Sequence, residues 1–122
     1  MSTPDPLKLA TRMLYRAIDE SDWSVLESLM HPACEHEESG YLPCRGRDAV
    51  VNFYRNVRPI ARGEHIIEFV AQDGDRMFCC GRFVGKRRDG IEVSLLFADV
   101  IQFENRKIRR HRVYHCEPKA PV

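Results

Sequence analysis

The sequence predicts an α+β fold in which three N-terminal helices cover the concave face of one curved antiparallel sheet. Three observations predict it. Apolar residues recur at helical spacing in three stretches before residue 60, and the period changes to two from about residue 64. Turn residues then divide the second half into four long strands that follow one another as hairpins. At 122 residues the chain is expected to form one domain over 1–122, with its core at about residues 7–116. Its 43% hydrophobic and 30% charged residues suit one core and one pocket between helices and sheet.

Each element follows from local signals. Asp5-Pro6 reads as an N-cap with proline at the first helical position, and Leu7, Ala10, Leu14, Ala17 and Ile18 carry the helix to about Glu20. Ser21-Asp22 starts a shorter helix with Trp23, Leu26 and Met30 on its buried stripe. His31-Pro32 stops it, because the residue before proline avoids the helical region. A short extended piece at 34–38 leads into a loop through Gly40 and Pro43. The third helix is expected over 47–57, with Val50, Phe53, Tyr54 and Val57 on one side. Strands are expected at 64–72, 76–85, 91–103 and 107–116, and the tail at 117–122 is expected to fray.

Lysine and arginine number 19 against 18 acidic residues, a net charge of +1, so no overall field draws in nucleic acid or an anionic membrane. No stretch approaches the ~20 consecutive apolar residues of a membrane span. The first six residues lack the basic and apolar parts of a signal peptide. Five cysteines without C-x-x-C spacing read as reduced thiols in a cytoplasmic protein. Neither nucleic acid nor membrane is an expected partner.

The clearest chemical signal lies in the strand at 91–103. Its odd positions, Val93, Leu95, Phe97, Asp99, Ile101 and Phe103, share one face, which is apolar except at Asp99. Burial there favours the neutral acid unless a cation compensates, and a neutral acid can donate a hydrogen bond to an oxyanion or pass a proton. The alternative is a structural aspartate paired with Arg112 or His111 across the hairpin. A second cluster is Glu35-His36-Glu37-Glu38, where Glu35 and Glu37 face one way and His36 and Glu38 the other. One pair is expected at the pocket mouth and the other in solvent, so Glu37 or Glu38 is the candidate general base opposite Asp99. On the last strand, His111 and His115 flank Val113 on one face, while Arg110, Arg112 and Tyr114 take the other. Tyr15, Trp23, Tyr54, Phe97, Ile101 and Val113 are expected to line the pocket. The His111, His115 and Asp99 spacing is not a specific ligand pattern, so no metal and no cofactor are expected. Lys86-Arg87-Arg88 reads as a solvated hairpin tip. The strand at 76–85 is apolar on both faces, which points to a homodimer through the sheet.

Four segments together resemble a known family: Tyr15-Arg-Ala-Ile-Asp with Asp22-Trp-Ser-Val-Leu; Leu29-Met-His-Pro; Gly46-Arg-Asp-Ala-Val-Val-Asn-Phe-Tyr; and Asp99-Val-Ile-Gln-Phe-Glu-Asn-Arg-Lys-Ile-Arg. The chain resembles the SnoaL-like branch of the nuclear transport factor 2-like superfamily, the cone-shaped α+β fold shared with ketosteroid isomerase. The resemblance places Asp99 where that isomerase has its oxyanion-hole acid, and Glu37 or Glu38 near its general base. The isomerase's oxyanion-hole tyrosine aligns near Leu14, with Tyr15 adjacent. In the polyketide cyclases and limonene epoxide hydrolases a second acid resembles position 113, which here is Val113. Such a resemblance implies a cofactor-independent isomerase or cyclase acting on a small or polycyclic apolar carbonyl compound. Glu37 or Glu38 would take a proton, and Asp99, helped by His111 or His115, would stabilise the enolate oxygen. The alternatives are a non-catalytic small-molecule binder and an epoxide hydrolase-like enzyme.

Overall fold

The computed structural model describes residues 5–117. The fraying expected over 117–122 lies outside them, apart from Glu117, which follows the last strand. Helix α1 (Pro6–Glu20) starts where the Asp5 carboxylate accepts the N–H groups of Leu7 and Lys8, and it stops at Ser21 in the left-handed conformation. Helix α2 (Trp23–Leu29) is capped by Asp22, which accepts the Val25 N–H. It ends one residue before the expected Met30, which is already extended and opens strand β1 (Met30–Glu38).

A two-residue strand, β2 (Cys44–Arg45), precedes helix α3 (Arg47–Asn52). The third helix does not run as one α-helix to Val57: residues Phe53–Val57 form a π turn, closed by the Arg58 N–H donating to the Phe53 carbonyl at 2.8 Å. Helical periodicity alone does not distinguish the wider turn, because the same apolar residues serve both. The remaining strands are β3 (Ile60–Asp73), β4 (Arg76–Arg87), β5 (Glu92–Glu104) and β6 (Lys107–Cys116). Strand β3 begins four residues earlier than the alternation predicts.

The six strands lie in the order β2-β1-β6-β5-β4-β3. The hairpins β3–β4, β4–β5 and β5–β6 are antiparallel as expected, but β1 runs parallel to β6, so the sheet is mixed. Turn residues specify only sequence neighbours, whereas β1 reaches the far edge through a long connection that leaves its direction open. Register shifts between Ile67 and Phe69, and between Met30 and Glu35, bend the sheet. Gly63 is required by a close approach, since a Cβ there would enter the Phe83 ring. The inner face of β5 (Phe97, Ile101, Phe103) packs with Leu14, Ile18, Leu26 and Met77 into the core. Helices thus cover one end of the concave face and leave the other open between α1, the π turn and the sheet.

Candidate active site

Strand alternation delivers the site. On β5 it turns Asp99 inward, where the side chain is buried against the helices. On β1 it turns His36 and Glu38 inward and leaves Glu35 and Glu37 outside. Glu37 therefore sits on the outer face, accepting from Arg110 Nη2 at 2.8 Å and pairing with Arg112 Nε at 3.2 Å. Arg110 beside it holds its carboxyl below the usual carboxylate range. Glu38 instead lines the inner cavity with 8% of its side chain exposed, so the two candidates are separated by one step of the pleat.

Asp99 has two donors on one oxygen. The Tyr15 hydroxyl donates to Asp99 Oδ2 at 2.6 Å, and His111 Nε2 lies 2.9 Å from the same atom. Among the described residues, Asp99 Oδ1 has no hydrogen-bond partner although it is buried. Burial and the Asp99 charge push the Tyr15 hydroxyl well above the ordinary phenol range, so it remains a donor. Leu14 is buried in the core, and the next residue, Tyr15, reaches the acid. Arg112 is not the partner of Asp99; it lies on the outer face with Glu37. Cys79, opposite Asp99 in the β4–β5 register, is pushed up to about 11 by burial and by the Asp99 charge.

Glu38 has a parallel set of neighbours. His36 Nε2 is 3.2 Å from its Oε1, and His115 Nε2 is 3.8 Å from its Oε2. Burial pushes His36 below the ordinary imidazole range, while Glu38 opposes that shift. A third acid–histidine pair was not foreseen: Asp19 at the end of α1 binds His65 of β3, accepting from Nδ1 at 2.6 Å and from the backbone N–H at 2.8 Å. The carboxylate, which can only accept, holds a proton on Nδ1. His65 follows the β3 alternation, but only the packed structure brings Asp19 to it.

These groups line one cavity of about 90 Å³, walled by Ile18, Tyr41, Tyr54, Phe83, Leu95, Phe97 and Val113 with Tyr15, Glu38, His65, Asp99, His111 and His115. Two expected lining residues lie elsewhere. Ile101 is wholly buried below Asp99 in the core, and Trp23 lines the neighbouring mouth rather than the cavity. Arg58, unremarked in the sequence, borders both spaces. Most ligand pockets exceed ~300 Å³. The cavity therefore has room for one end of a small molecule, and a larger body would extend into the neighbouring space.

The chain matches the model of the SnoaL-like domain over residues 11–111. Its fold is similar to an NTF2-like protein of unknown function from Burkholderia pseudomallei, at 19% identity and a TM-score of 0.82, covering 90% of each chain. An epoxide hydrolase of the LEH-like type from Mycobacterium tuberculosis is similar at 15% identity and a TM-score of 0.81, covering 91% of this chain and 83% of that one. A third similar structure is a protein with the ketosteroid isomerase-like fold from Catenulispora acidiphila, in complex with trimethylamine. It is 14% identical with a TM-score of 0.78, covering 93% of this chain and 86% of that one. No curated protein matches the sequence. The resemblance carried by the four segments thus holds in both sequence family and fold.

Proposed function

The chain belongs to the SnoaL-like domain family, and from that premise we propose that it is a cofactor-independent acid–base enzyme of the isomerase or cyclase type. Its substrate is a small carbonyl compound whose reacting end enters the cavity. One observation carries the reading: Glu38 and Asp99 stand at the same level, two strands apart, and both line one mostly apolar cavity. Glu38 takes the proton from the carbon next to the carbonyl. Asp99, protonated on Oδ1, hydrogen-bonds the oxygen as charge develops there, while Tyr15 and His111 hold Oδ2. Glu38 then returns its proton to a different carbon of the conjugated enolate, so the net change is isomerisation and the protein ends as it began.

Glu38 is the base in this reading and Glu37 is not, because Glu37 faces outward and is held by two arginines. His36 and His115 orient the Glu38 carboxylate. The outer face of the sheet serves as a homodimer surface. Support comes from a cross-strand row, Phe69, Cys80, Ala98 and Tyr114, with Phe69 58% and Tyr114 52% exposed. Five free thiols fit a reducing compartment such as the cytoplasm. Among the described residues, no helix is long and apolar enough to cross a membrane.

The test is incubation of a panel of small ketones with the protein in deuterated water, followed by NMR. Exchange at the α-carbon that disappears in Glu38→Gln supports the assignment. Ligand binding without exchange across the panel gives the non-catalytic binder instead.

A further inference from the structure

A guanidinium stands unpaired where the cavity opens. Arg58 follows directly on the π turn, whose wider winding carries its backbone N–H to the Phe53 carbonyl. Its guanidinium carbon lies 4.9 Å from the centre of the Phe83 ring and 5.6 Å from that of Tyr54, so two aromatic faces fix its position. It forms no ion pair and donates no side-chain hydrogen bond among the described residues. Beyond it the mouth, of about 330 Å³, is lined by Arg55, Arg62 and Arg88 as well, against one acid, Asp19, which is engaged by His65. Arg88 is committed elsewhere, its Nη2 donating to the Arg55 carbonyl at 2.7 Å. Among these arginines, Arg58 is the one that borders both the cavity and the mouth. Single π turns in helices are frequent at functional sites.

We propose that the molecule bound in this cavity carries a carboxylate, and that Arg58 receives it at the mouth. The proposal rests on the cavity being a ligand site, as in the function proposed above, and adds the substrate class. A planar fork held against aromatic rings suits a carboxylate, which it can bind through two parallel N–H donors. The sheet also sets a length. Phe83 is the register partner of Leu95, and Leu95 lies four residues from Asp99, about 13 Å along the strand. That length sets the scale of the separation between the carboxylate and the reacting carbon. The substrate is then a keto acid with its carbonyl at the Asp99 end, its carboxylate at Arg58 and one ring or a short chain between. The arginines of the mouth attract it, and the Glu38 carboxylate repels it from the inner end, so both charges favour one orientation.

The test is a binding titration of the full chain by two-dimensional NMR, with 3-phenylpropanoate, its neutral amide and inorganic phosphate as probes. The acid is expected to bind at least about tenfold more tightly than the amide. In Arg58→Gln that preference falls to about threefold or less, while the amide binds as before. Arg58→Lys, which keeps the charge and loses the fork, lies between. Equal binding of acid and amide, a preference that survives in Arg58→Gln, phosphate binding as tightly as the acid, or no binding of either aromatic probe overturns the proposal. The acid–amide comparison in the unmodified chain stands even if the variants fail to fold. α-Carbon exchange is read separately, so a binding preference without exchange retains carboxylate recognition and discards the catalytic assignment.

Discussion

Glu38 and Asp99 are both register partners of Val113, one across the parallel β1–β6 pair and the other across the antiparallel β5–β6 pair. Their backbones are therefore two strand spacings apart, about 10 Å, with both side chains directed into one cavity. An apolar Val113 between two acids keeps them from sharing a proton directly and leaves room for a substrate.

Replacement of Asp99 separates chemistry from folding. Asp99→Asn keeps the shape and the acceptor for Tyr15 and His111, and the exchange rate is expected to fall ~100-fold or more. The measurement is α-carbon exchange alongside circular dichroism. An unchanged rate in a folded variant removes Asp99 from the mechanism.

Two adjacent glutamates are expected to behave oppositely. Glu38→Gln should lose ~100-fold or more of the exchange rate. Glu37→Gln should leave it within about twofold, because an exposed ion pair contributes little. A comparable loss in Glu37→Gln would remove the distinction drawn between the inward and outward glutamates.

Tyr15→Phe removes one of the two donors to Asp99 Oδ2 and leaves the core contacts of the ring. The expected loss of stability is about 1–2 kcal/mol in chemical denaturation. In the parent protein the ultraviolet phenolate signal of Tyr15 should not develop until well above pH 10.0.

His36 makes stability depend on acidity. Burial lowers its proton affinity in the folded chain, whereas the unfolded chain takes up that proton near 6.5. The unfolded state thus binds more protons as the pH falls, so this contribution is fully present above 6.5 and is lost below it. His36→Gln should flatten the fall in unfolding free energy between neutral pH and about pH 5. An equally steep fall in the variant assigns the acid sensitivity to another group.

Thiol reactivity provides an independent check on the buried cluster. Cys79, pushed up to about 11, should alkylate at least ~100-fold more slowly than exposed Cys116 near neutral pH, and should react once the chain is unfolded. Equal labelling in the native protein would mean that the Asp99 environment is open to solvent.

Much of this was legible in the sequence because it depends on local chemistry. Caps and periods located the helices, and hairpin turns located the four long strands. The pleat, which alternates regardless of context, singled out Asp99 on an apolar face and paired His36 with Glu38 against Glu35 with Glu37. The family followed from four short segments. What the tertiary structure decided is non-local. The parallel docking of β1 on β6 selects the inward pair, and it brings Glu38 level with Asp99. The seating of α1 brings Tyr15 to Asp99 and Asp19 to His65. The π turn carries Arg58 over Phe83. In each case the residues are far apart in the chain, and neither propensity nor spacing encodes the level at which two strands, or a helix and a strand, come to rest. Side-chain packing sets that level once the whole core has closed.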